Sequence, residues 1–145
     1  MTSDRGVDPI FKPNWEVTER IEKEEKYVRF NKWCEENGVV APSVRWPVAY
    51  GESGELIGVH ANKDIGPCES YLYVPTKMTI NEEQFRNSEI GKILEENEDE
   101  FMDRDHNEHY ILIFFVAYQM SLGTASFWDP YFEISADSDL PMNWP

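Results

Sequence analysis

The sequence predicts one α+β domain: a long N-terminal helix, short β-hairpins, then a helical second half. Three observations predict it. The chain has 145 residues, the length of one domain and enough to bury roughly two-thirds of its unfolded surface. Apolar residues step by three and four in the first quarter, then alternate over short runs. Cap residues and a long apolar run occupy the second half.

The first dozen residues, ending with Pro9 and Pro13, read as an extended arm over 1–15. A helix over 16–38 follows from Val17, Ile21, Tyr27, Val28, Phe30, Trp33 and Cys34, with Gly38 at its C′ position. Its middle, residues 22–26, carries mixed charge and reads as a solvated face. Residues 39–47 are β-branched and broken by prolines, so they read as extended. Gly51-Glu52-Ser53-Gly54 is a turn, and residues 56–61 and 70–74 read as strands, the second closed by Pro75. A second helix has a strong start signal. Asn81 caps it, Gln84 reaches back from N3, and Ile80 staples onto Phe85 at N4. It breaks near Asn87-Ser88, where a second cap precedes Ile90, Ile93 and Leu94. An acidic stretch over 95–105 leads into an apolar run over 110–122, long enough to read as a buried helix ended by Gly123. The last twenty residues are rich in turns.

Composition narrows the function. Hydrophobic residues make up 41% and aromatic residues 14%, too many for a disordered chain. The net charge of −15 repels phosphate backbones and anionic lipid, so neither nucleic acid nor a membrane is an expected partner. A basic peptide or basic protein tail suits it better. Cys34 and Cys68 allow at most one bridge, and no apolar leader opens the chain. The expectation is an intracellular protein, cytoplasmic or nuclear, with free thiols.

Several segments together resemble one family. Phe30-Asn31-Lys32-Trp33-Cys34-Glu35-Glu36-Asn37-Gly38 resembles the opening helix of SET-domain protein methyltransferases of the RuBisCO-methyltransferase-like branch. Gly58-Val59-His60-Ala61-Asn62-Lys63-Asp64-Ile65 with Tyr71-Leu72-Tyr73-Val74-Pro75 is similar to that family's first hairpin. Asn87-Ser88-Glu89-Ile90-Gly91, Phe127-Trp128-Asp129-Pro130-Tyr131 and Leu140-Pro141 resemble later steps, in the family's order. The resemblance implies a partial SET domain over 16–145, with a helix over 16–38, SET strands over 39–75 and a helical insertion over 76–145.

It also implies transfer of a methyl group from S-adenosyl-L-methionine (AdoMet) to a Lys or His of a protein substrate. In the family, an E-G-x-G loop before the first hairpin strand meets the methionine end of the cofactor through backbone. That places cofactor contacts on Glu55, Ile57 and Gly58, with Leu56 standing where the family has its first glycine. The family's Asn-His pair and tyrosine have no counterpart here; the nearest match is the reversed His106-Asn107, with His109 beyond. No catalytic residue is therefore assigned, and the chain alone is expected to show no turnover. The rival reading is a non-catalytic SET-like module that serves structure or protein binding, with other subunits covering the open half-domain.

Other constellations are weaker. Asp103-Arg104-Asp105 starts like a calcium loop but has Glu108 where glycine is required and Phe114 where a bidentate Glu is required. His106 and His109 share a helical face without a converging third ligand, so no metal site is expected. Cys34 and Cys68 form no C-x-x-C. Trp128 and Tyr131 suit a peptide-binding surface or, more simply, rings that dock a loop onto the core.

Overall fold

The computed structural model describes residues 11–97 and 107–135. Most of the arm, most of the acidic stretch, Leu140-Pro141, His106 and the calcium-like triplet lie outside them, as does the side chain of His109. The fold is mixed α+β, with six α-helices and a two-stranded antiparallel sheet among the described residues. The chain divides into two compact units, Met1–Val74 and Pro75–Pro145.

In the first unit, helices α1 (Trp15–Ile21) and α2 (Glu25–Glu36) precede strands β1 (Val44–Tyr50) and β2 (Leu56–Ala61). The single helix expected over 16–38 is thus two. The reason is legible in the burial: Ile21 and Tyr27 are both buried, yet six residues turn a continuous helix by about 600°, which sets them on different faces. The break at residues 22–24 resolves the conflict. Lys23 and Glu24 donate tight bonds to the Arg20 and Ile21 carbonyls, and Glu24 leaves the helical region. Thr18 and Ile21 then bury on α1, where the Thr18 hydroxyl receives the Ala49 amide at 3.0 Å. On α2, Tyr27 and Phe30 meet the Trp46 ring at 5.3 and 5.0 Å.

The hairpin pairs Val48 with Gly58, Ala49 with Ile57 and Tyr50 with Leu56. Its register shifts between Arg45 and Val48, around the cis Trp46–Pro47 bond, so Arg45 faces His60 and Val44 faces Ala61. The strand expected over 56–61 is present. That over 70–74 is reduced to one bridge, in which Val40 and Tyr73 exchange amides at 3.0 and 2.8 Å. Residues 71–74 are exposed, so no buried face enforces a longer ladder.

The second unit holds α3 (Glu82–Arg86), α4 (Glu89–Glu96), α5 (Asn107–Ser121) and α6 (Asp129–Ser135). Both expected caps form: Asn81 Oδ1 accepts the Gln84 amide at 3.0 Å and Ser88 Oγ the Gly91 amide at 3.2 Å. Gln84 does not close the box on Asn81; its amide nitrogen reaches the Lys77 carbonyl at 3.5 Å. Gly91 lies so close to the Phe85 carbonyl that a Cβ there has no room, which lets α4 leave α3 in a tight step. Phe85, Leu94, Ile111, Phe115, Trp128 and Met78 form the core.

The helix expected as buried is only half so. Phe115 on α5 is 2% exposed whereas Ile113 is 61% exposed, so one stripe faces α3 and α4 and the rest faces outward. Trp128 is buried, as a docking ring should be, while Tyr131 is exposed.

Candidate functional site

The candidate site is the hairpin turn over residues 51–55, together with the strand that leaves it. Two glycines shape the turn. Gly51 has φ +88° and Gly54 has φ +73°, backbone that a side chain strains. Each also makes room for a neighbour: a Cβ on Gly51 would lie 2.5 Å from the Glu55 carboxylate, and one on Gly54 would lie 2.6 Å from Val17 on α1.

Asn14 joins this turn to the first helix. Its Oδ1 caps α1 through the Val17 amide at 3.1 Å, and its Nδ2 donates to the Glu52 carbonyl at 3.0 Å and the Gly51 carbonyl at 3.4 Å. The backbone adds a short extra rung, since the Asn14 amide donates to Ala49 at 2.8 Å and the Gly51 amide to Lys12 at 3.1 Å. An open cleft of about 450 Å³ lies here, lined by Lys12, Pro13, Asn14, Trp15, Gly51 and Glu52.

Glu55 is exposed, and its carboxylate folds back on the turn. The Ser53 hydroxyl and amide donate to Oε2 at 2.8 and 3.1 Å. Its own backbone amide and then the Ser53 hydroxyl hold its carboxyl below the usual carboxylate range, so it stays ionised at neutral pH. Leu56, Ile57 and Gly58 lie on β2, not on the loop that the resemblance implies; only Glu55 belongs to the turn. The side chains of Leu56 and Ile57 are exposed. Gly58 has no positive φ. A Cβ there would stand 3.3 Å from the Tyr50 ring, so this glycine lets Tyr50 lie across β2.

That ring ends in a polar cluster that sequence reasoning did not single out. The Tyr50 hydroxyl donates to the Val59 carbonyl at 2.9 Å and lies 3.1 Å from His60 Nδ1. Burial raises the Tyr50 pKa above its ordinary value, which keeps the hydroxyl a donor. Trp15 meets His60 edge-on at 5.1 Å, and the Arg45 guanidinium lies over the Trp15 ring at 5.4 Å. Arg45 also holds Glu22 through two bonds of 2.6 Å, which lowers the Glu22 pKa. The alternation of 56–61, with His60 and Gly58 on one face, was the available signal. The bulge that sets Arg45 opposite His60 had none.

Elsewhere, Cys34 is half-buried and burial pushes its thiol up to about 11, with Glu35 adding to the shift, while Cys68 is exposed. Among the described residues no three His, Cys, Asp or Glu side chains converge on a metal position. No helix among them is long and apolar enough to cross a membrane.

Comparison with known proteins gives one informative likeness. The chain is 28% identical over 127 residues to an actin-histidine N-methyltransferase of Rhinolophus ferrumequinum, a stretch covering 87% of this chain and 20% of that protein. The chain thus spans about one-fifth of the length of the curated relative it matches. No family profile and no solved structure matches. The likeness supports a relationship to protein methyltransferases.

Proposed function

We propose that this chain is the front part of a SET-domain protein methyltransferase that uses AdoMet and acts on a Lys or His of a protein substrate. The observation that carries the reading is the likeness over 127 residues to a protein methyltransferase, 87% of the chain long. In this reading residues 16–38 open the domain, residues 39–75 are its first strands, and residues 76–145 are its helical insertion.

The residues of the turn suit the charged end of the cofactor. Glu55 offers an ionised, exposed carboxylate that can meet an ammonium group. Ile57 and Gly58 offer main-chain groups on a strand that, among the described residues, pairs only with β1. AdoMet, when bound, would supply a sulfonium methyl group to the target nitrogen, with the thioether sulfur as the leaving group. Leu56, standing in place of the family's first glycine, has its side chain exposed, which leaves the turn accessible. In this reading the turn's residues bind and orient, and groups from outside this chain remove the proton from the target nitrogen and align the attack. Turnover by the chain alone is therefore not expected.

Calorimetric titration of AdoMet into the full 145-residue chain tests the reading. Saturable binding that weakens in Glu55→Gln is the expected result. Absence of any heat of binding would overturn it. A second reading, a protein-binding module without catalysis, is favoured by the apolar exposure of β2, and it predicts that same silent titration.

A further inference from the structure

We propose that Asn37 is a site of spontaneous deamidation, in which the Gly38 amide displaces ammonia from the Asn37 side chain and water opens the resulting imide, and that opening of the last turn of α2 gates it. The inference stands apart from the methyltransferase reading and holds whether or not AdoMet binds.

The sequence offers this reaction one favoured place. Among the chain's asparagines only Asn37 precedes a glycine. Ring closure needs the amide nitrogen of the following residue to reach the asparagine Cγ. A residue without Cβ neither blocks that approach nor restricts the backbone that makes it. The Gly38 nitrogen bonds to Cγ, and the side-chain nitrogen leaves as ammonia with the Gly38 proton. Water then cleaves one of the two C–N bonds of the imide. Cleavage at one carbonyl gives aspartate; cleavage at the other gives isoaspartate, in which the main chain runs through the side-chain carbons. Water is the sole co-reactant.

The folded chain holds every reacting atom out of place. Asn37 is the C-cap of α2, with φ −97° and ψ 2°. At that ψ the Gly38 nitrogen eclipses the Asn37 nitrogen and points away from the side chain. The Gly38 amide proton, which the reaction must remove, is donated to the Glu35 carbonyl at 3.1 Å. The leaving nitrogen, Nδ2, donates to the Trp33 carbonyl at 2.8 Å. These restraints belong to one turn, so they release together when it opens.

That turn is placed to open. Asn37 is half-buried, and Gly38 is exposed with φ +87°. No basic residue stands in the last turn of α2, while Glu35 and Glu36 bring negative charge to the negative end of the helix dipole. A helix end of this kind opens locally at lower cost than the whole domain unfolds. The product then favours the open form. A carboxylate at position 37 cannot donate to the Trp33 carbonyl, and it adds negative charge directly after Glu35 and Glu36. Because ammonia is lost, the change runs one way.

Peptide mapping by mass spectrometry tests the proposal, on the full chain at neutral pH in heavy-oxygen water and on the same chain in urea. The expected result is conversion at residue 37 to aspartate and isoaspartate, each retaining a heavy oxygen. The folded chain converts more slowly than the chain in urea, by about tenfold or more, because the turn must open first. Glu36→Lys, which supplies a base to the exposed last turn, slows the folded chain by about a further two- to fivefold and leaves the rate in urea unchanged. Asn37→Asp, which carries the product's charge, lowers the hydrogen-exchange protection of the Gly38 and Val39 amides. Circular dichroism matching the parent protein establishes that both variants fold. Equal rates in the folded chain and in urea overturn the proposal, as does faster conversion in urea at another asparagine. A folded chain slowed as much as its global unfolding equilibrium demands overturns the local route. Slowing by Glu36→Lys that is the same in urea overturns it equally.

Discussion

Gly54 and Gly123 show how differently one residue type constrains this chain. Both have positive φ, +73° and +53°. At Gly54 a methyl group would also press on Val17, whereas nothing lies within 4 Å of the corresponding position at Gly123. Gly54→Ala is therefore expected to cost about 2–4 kcal/mol, combining left-handed strain with overpacking. Gly123→Ala should cost only about 1–2 kcal/mol from the backbone alone. Urea unfolding of the two variants checks the difference. Equal costs would mean that α1 yields freely to the turn. At this scale the sequence was a partial guide. Its Gly-x-x-Gly spelled a turn, and Asn81 and Ser88 announced caps that form. The demand on Gly54 comes from a side chain 37 positions earlier, which no local pattern records. Gly58 was read as the glycine needed for close approach to a ligand; that the ring of Tyr50 also packs at this position is something no local pattern announced.

Between elements, the Glu22–Arg45 pair ties the end of α1 to β1 across the break between the first two helices. The Arg45 hydrogen bonds depress the Glu22 pKa below its ordinary value. A depressed carboxylate pKa adds stability above the unfolded value of about 4.3, and that stability is lost as pH falls through the lower folded value. Glu22→Gln is expected to cost up to about 1 kcal/mol at pH 7, since the pair is partly exposed. The gap between variant and parent should close in acid, below the folded pKa. Denaturation midpoints across an acid pH series measure this, and a gap independent of pH would assign the cost to packing. The broken helix itself was half-written in the sequence. Val17 and Ile21 form one stripe and Tyr27, Phe30 and Cys34 another, and their phase mismatch is the physical cause of two helices in place of one. The α5 run hid its orientation because it is apolar on every side, so periodicity could not say which residues face α3 and α4.

For the whole molecule, charge is the dominant quantity. Acidic side chains number 28 against 13 basic ones, so most carboxylates have no cation to meet. Self-repulsion should therefore outweigh the exposed ion pairs, all of which involve partly exposed partners. Raising salt from low to physiological ionic strength is expected to raise the thermal midpoint, by roughly 2–4 °C for each kcal/mol of repulsion relieved. Scanning calorimetry in a salt series checks it, and a falling midpoint would mean that the pairs outweigh the excess charge. Fold class was legible from element order alone. The candidate site was legible only as a place, because Glu55 and the strand after it could be located but the arrangement of Trp15, Arg45 and His60 depends on a bulge.

The rung that residues 12–14 add to β1 has a consequence for how this end of the molecule opens. The Asn14 and Gly51 amides donate in opposite directions across one seam, to Ala49 and to Lys12. Neither bond can break by fraying of the hairpin alone, because the seam lies on the far side of β1. Both must let go when the arm peels away, so deuterium would reach these two amides at a single shared rate, ahead of the ladder that joins β1 to β2.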